Sequence, residues 1–185
     1  MFQSHPFHTF CLSLVAAAGI SACAVSPVGS AVTVQVPEQL QPPAGMQLAS
    51  ESSAVGVQIY TCIANKSDPT RFEWNFQAPQ AELLDADGRK IGTHYAGPTW
   101  KANDGSTVVG EVKVRHDAPV GSAIPWLLLS AKANSGNGTY GKVAFIQRLA
   151  TEGGKAPADG CAKASVGTEL QVPYKAIYRY YTAGR

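Results

Sequence analysis

The segment from Gly92 to Ser106 holds the densest set of side chains that could do chemistry: His94, Tyr95, Trp100 and Asp104, interleaved with Gly97 and Pro98. An imidazole titrates near neutrality and serves as a general acid or base, and a carboxylate such as Asp104 could orient it. Tyr95 and Trp100 would supply an aromatic platform for a flat small molecule or a glycan ring. Two functions follow from this set. In the first, Tyr95 and Trp100 line a ligand site in a binding or structural module. In the second, His94 and Asp104 are the catalytic candidates of a hydrolase. The first is preferred, because no acid–base pair in the chain has an informative spacing. A plainer alternative makes Gly97-Pro98 a turn between strands, Tyr95 and Trp100 core residues, and His94 a satisfied polar group.

Other chemistries lack their residues. Beyond the amino-terminal leader the histidines are His94 and His116, in different predicted strands, whereas a metal site needs three or four ligands. No metal is expected. Asp85-Ala86-Asp87-Gly88 resembles the start of a calcium loop but lacks the later ligands and the closing glutamate. No G-x-S-x-G elbow surrounds Ser106 or Ser130, and no glycine-rich phosphate loop is present, so no cofactor is expected. The 15 basic and 13 acidic residues are interspersed, with a formal net charge of +2. Nucleic-acid partners call for a clustered basic stripe, and none is expected here. Tyr174, Tyr178, Tyr180 and Tyr181 could form a stacking face, but tyrosines at period two in a terminal strand fit sheet packing better.

The elements that must position these residues read as strands. Val55 to Cys62 is β-branched and aromatic, and Arg71 to Phe76 alternates so that Phe72, Trp74 and Phe76 share a face. Asp87-Gly88 and Asp104-Gly105 are hairpin turns between apolar runs. In Ser106 to His116, Val108, Gly110, Val112 and Val114 fall on one face and Glu111, Lys113 and Arg115 on the other. Trp126-Leu127-Leu128-Leu129 suits a strand covered on both faces, and Lys142 to Leu149 and Val172 to Tyr181 supply further strands. No long amphipathic helix competes. The expectation is an all-β fold: a single-domain antiparallel β-sandwich or barrel of about eight or nine strands.

Residues 1–22 carry no Lys, Arg, Asp or Glu, and the apolar run Phe10 to Ile20 has the length of a signal-peptide core, short of a membrane span. Ile20-Ser21-Ala22-Cys23 resembles a bacterial lipobox, in which cleavage leaves a lipidated Cys23; small residues also offer ordinary cleavage sites around Cys23 and Ala31. The expected organisation is a signal peptide over 1–22, a Pro- and Gly-rich tether over 23–44 and a β domain over 45–185. Such a protein is extracytoplasmic, as an outer-membrane lipoprotein or a periplasmic or secreted protein, and touches membrane only through a lipid anchor. Removal of the leader leaves Cys62 and Cys161, an even pair that reads as a structural disulfide; a reactive thiol or metal pair is the alternative, without supporting CxxC spacing.

Gly56 to Cys62, Gly92 to Trp100, Asp104 to Ser106, Ile124 to Leu129, Ile146 to Gly154, Gly160-Cys161 and Val172 to Tyr178 together resemble, in order, the marker segments of the DUF3455 family. That resemblance implies an exported bacterial or fungal domain of unknown function with a Cys62–Cys161 pairing. It implies no catalytic residue. The partner left by the residues themselves is an unidentified small molecule or glycan.

Overall fold

The computed structural model describes residues 34–184, together with Met1 and Gln3. The expected signal-peptide core, Cys23 and the first part of the tether lie outside the described residues. Eight strands follow one another: β1 Met46–Ala64, β2 Phe72–Leu84, β3 Lys90–Tyr95, β4 Thr99–Ala102, β5 Thr107–His116, β6 Trp126–Ser135, β7 Phe145–Gly153 and β8 Glu169–Ala183. Each pairs antiparallel with its sequence neighbours, and β8 returns to β1 to close the ring. Of the two architectures the sequence allowed, the chain forms the barrel, which leaves no unpaired sheet edge. Both Asp-Gly turns form as expected, with Gly88 at φ 78° and Gly105 at φ 87°, where a side chain would be strained.

Two runs that read as separate strands fuse into β2. Tyr60 pairs with Phe76 and Ile59 with Ala78, so Gln77 is an extra residue that bends β2 without ending it. A second irregularity changes which side chains enter the barrel. The expected alternation put Val114 with Val112 and opposed both to Arg115. In the structure Val112 pairs with Leu129 and Val114 with Leu128, a shift that leaves Lys113 unmatched and reverses the faces beyond it. Val114 therefore packs on the outer surface, and Arg115 turns toward the interior. Period-two reading assumes an unbroken ladder, and a one-residue bulge inverts every later assignment.

The barrel interior is closed at one half by large side chains: Leu83, Trp100, Val108, Leu129, Ile146 and Tyr180 are each 1% exposed or less. Tyr140, on the β6–β7 connection, packs on Tyr180 with ring centroids 4.6 Å apart. Strand β6 is covered on both faces, as its apolar run required. Leu127 and Leu129 face inward, while Trp126 and Leu128 join Leu149 in an outer cluster. The cover for that cluster comes from the segment expected to be a free tether. Val34, Val36 and the fully buried Leu40 pack on it, with a 3-10 turn over Glu38–Leu40. The Leu40 carbonyl accepts a 2.6 Å bond from Gln147 Nε2, whose Oε1 in turn accepts the Tyr181 hydroxyl at 2.8 Å. Proline-rich composition signals an extended chain, which this is; it does not say whether apolar residues between the prolines find a surface.

Cys62 and Cys161 form a disulfide that ties β1 to the loop ahead of β8, closing a separation of 99 residues. Trp74 Nε1 donates to the Asp159 carbonyl at 2.9 Å and holds the same loop down. The outer wall carries charged pairs, including Arg179–Glu51 at 2.7 Å and Lys90–Glu82 at 2.6 Å. These mark a water-facing surface and contribute little stability each.

Candidate functional site

The half of the barrel not filled by core residues is a cavity of about 810 Å³, within the size range of small-molecule sites. His94, Trp100 and Tyr178 form its inner end, Gln58, Tyr60, Phe76 and Leu127 its sides, and the connections around Pro98 and Val120 its rim. Period two explains the membership. His94 pairs across the sheet with Trp100, and Trp100 with Val108, so one row of inward positions carries all three. Tyr178 reaches the same place from β8, opposite the β1 residue Ser52 and the β7 residue Arg148.

His94 is 2% exposed and lies flat on Trp100, with centroids 4.4 Å apart and planes 15° apart; Tyr178 meets it edge-on at 5.1 Å. Its Nδ1 is 2.9 Å from the Thr99 carbonyl. A carbonyl only accepts, so Nδ1 carries the hydrogen and Nε2 is the free acceptor. Burial lowers the imidazole from 6.5 to about 3, against the opposing pull of the Thr99 carbonyl, and the Arg148 charge adds to the lowering. The ring is neutral at physiological pH.

Trp100 lines the cavity but is 1% exposed and belongs to the core cluster, as the plainer alternative had it. Tyr95 is one position along β3 from His94, projects outward at 40% exposure, and contributes nothing to the cavity wall. Asp104 does not meet His94 either. It lies in the β4–β5 turn, at the opposite end of β4 from Pro98. There its carboxylate accepts Ser106 N and Oγ at 2.8 and 2.6 Å and Thr139 N and Oγ1 at 2.8 and 2.7 Å. Those bonds, the Ser106 hydroxyl first, hold it well below the usual carboxylate range. Asp104 joins the β4–β5 turn to the β6–β7 connection, which is a structural task. Among the described residues no three His, Cys, Asp or Glu side chains come together as metal ligands would.

The structure brings in residues that the sequence reading passed over. Arg148 is half-buried on β7, at the same inward parity as Ile146, and its Nε donates to the Pro125 carbonyl at 3.0 Å. Gln58 is 2% exposed, at the inward parity of Tyr60. Tyr178 is fully buried; the sequence allotted it to sheet packing, and it serves both core and cavity. Trp100 Nε1 is enclosed by the protein without a hydrogen-bond partner, while the polar groups of Gln58, Tyr174, Tyr178 and Arg148 lie close enough to act on one another. Burial raises the pKa of Tyr178, and the Arg148 guanidinium beside it opposes that rise. A usable signal was present: a lone charged residue at an inward position of an apolar run, as Arg148 is in Val143 to Leu149, marks either a buried partner or a ligand.

No curated protein and no solved structure matches this chain. The sequence model of DUF3455, described as a protein of unknown function, matches residues 43–182, from just ahead of β1 nearly to the end of β8. The barrel, its cavity and its disulfide all fall within that span, and the chain belongs to the DUF3455 family.

Proposed function

We propose that this protein is an exported small-molecule binding module whose site is the barrel cavity. The observation that carries the reading is an open volume of about 810 Å³ whose wall sets the half-buried Arg148 and the neutral His94 among apolar and aromatic side chains. A largely apolar concavity with a few polar groups converging on it is the usual form of a small-molecule site. The body of the ligand would lie against Trp100, Phe76 and Leu127. Hydrolysis is the weaker reading, because the buried, neutral His94 has a backbone carbonyl for a partner and Asp104 is bonded elsewhere. The export reading rests on residues 1–22 and on the disulfide, which suits an oxidising compartment, with Cys23 as the lipid attachment point.

Native mass spectrometry of protein taken from its own cell envelope tests the binding reading. A retained small molecule is expected in the wild type and reduced occupancy in Gln58→Leu and Tyr178→Phe. A wild-type protein that carries nothing and binds nothing from a cell-envelope extract would contradict it. The mass of the mature amino terminus tests the anchor separately: a start at a diacylglyceryl Cys23 is expected, and an unmodified later start removes the anchor from the account.

A further inference from the structure

The charges around the cavity narrow what it binds. Arg148 presents a guanidinium whose Nε is taken by the Pro125 carbonyl. Among the described residues no ion pair includes it, and the Tyr178 hydroxyl is its polar neighbour. A guanidinium has five N–H donors in a fixed fork, so the bond to Pro125 holds it in place with more donors than Pro125 and Tyr178 can use. Arg148 is the cross-strand partner of Tyr178 and shares the cavity wall with His94, Trp100 and Tyr178. Arg115 and Lys155 add two cations toward the rim, and Asp117 is the one carboxylate among the wall residues. His94 is neutral and adds no competing charge there.

A half-buried cation without an ion-pair partner is costly, and the usual remedy is an anion with matching geometry. Gln58, Trp100 and Tyr178 share the cavity wall with it, and each carries an N–H or O–H donor. The remaining wall is apolar and partly flat, from Trp100, Phe76, Ile124 and Leu127. Inorganic phosphate or sulfate would satisfy the arginine but leave most of about 810 Å³ unfilled.

Building on the binding function proposed above, we propose that the cavity takes a small organic carboxylate, its anionic end on the Arg148 fork and its flat or apolar body toward the rim. Arg148 is then the residue that sets specificity for the anion, and Trp100 supplies affinity for the body whatever its charge.

Isothermal titration at neutral pH with three probes tests this on the full folded chain: 2-naphthoate, its neutral isostere 2-naphthamide, and inorganic phosphate. The expected result is that 2-naphthoate binds more tightly than 2-naphthamide by about tenfold or more, and phosphate only weakly. Arg148→Gln should abolish the preference while leaving naphthamide binding in place, and Arg148→Lys, which keeps the charge without the fork, should retain part of it. Near-ultraviolet circular dichroism establishes that each variant is folded, and Lys101→Gln, exposed on β4 and outside the cavity wall, serves as the charge control with little effect. Equal binding of naphthoate and naphthamide to the wild type overturns the anion assignment and leaves the binding function standing. Phosphate binding as tight as naphthoate overturns the organic carboxylate. Failure of both naphthalene probes to bind overturns this inference together with the cavity reading beneath it.

Discussion

Acidification should expose the burial of His94 as a loss of stability. In the folded protein its imidazole is lowered from 6.5 to about 3. The unfolded chain therefore binds a proton at this site throughout the interval between those values, and the folded chain does not. Stability rises with pH wherever the unfolded state binds more protons, so this contribution is complete above pH 6.5 and is lost as pH falls toward 3. At about 1.4 kcal/mol per unit, the whole interval amounts to about 5 kcal/mol, and descent to about pH 4.5 loses about 3 kcal/mol. Asp104 and Asp85 have pKa values lowered by hydrogen bonds and also lose stability on acidification, which makes a single protein's profile ambiguous. The difference between two proteins is not. In His94→Gln the amide can still donate to the Thr99 carbonyl but does not titrate. Urea unfolding of both proteins at about pH 7 and about pH 4.5 should show the wild type losing about 3 kcal/mol more than the variant. Parallel losses would mean that His94 is solvated or already charged in the folded state, and its place beside Trp100 would have to be redrawn.

Four further outcomes follow from the structure. Tyr178→Phe deletes a buried hydroxyl beside Tyr174 and Arg148 and should cost about 1 kcal/mol in urea unfolding; a stabilised variant would show that the hydroxyl is unpaired. Cys62→Ser with Cys161→Ser opens a loop of 99 residues and should reduce stability by about 4–5 kcal/mol in denaturant unfolding, and a loss under 1 kcal/mol would refute the entropic estimate. Leu40→Ala should cost about 2–5 kcal/mol if the segment ahead of β1 is part of the core, whereas a neutral result would return that segment to the role of tether. Asp104→Asn should lower the melting temperature and leave ligand affinity unchanged, since the carboxylate joins two turns away from the cavity; a change in affinity alone would contradict that assignment.

Much of the fold could be read from the sequence because its signals are local. Asp87-Gly88 and Asp104-Gly105 specify hairpins through glycines at positive φ, and the run Trp126 to Leu129 declared a strand buried on both faces. What the sequence could not show is non-local. Whether eight strands form a sandwich or a barrel depends on β8 meeting β1, a pairing between Met46 and Ala183 that no local pattern encodes. The bulge at Lys113 has no composition of its own, yet it decides that Arg115 faces the cavity and Val114 the outer cluster. The candidate site divides in the same way. His94 and Trp100 are cross-strand partners on the adjacent strands β3 and β4, separated by one turn, so proximity in sequence brought them together. Tyr95 failed by parity, Asp104 by lying at the far end of β4, and Arg148 and Tyr178 reach the cavity from strands more than fifty residues away in sequence from His94.

The most direct test of the central claim uses the three tryptophan indole N–H groups as reporters. Trp74 Nε1 is bonded to the Asp159 carbonyl beside the disulfide, Trp126 belongs to the outer cluster, and Trp100 lines the cavity. Nuclear magnetic resonance of the ¹⁵N-labelled protein during titration with 2-naphthoate should move the Trp100 indole signal in a saturable way while the Trp74 and Trp126 signals stay in place. A stationary Trp100 signal at saturating ligand, or equal movement of all three, would contradict a binding site inside the barrel.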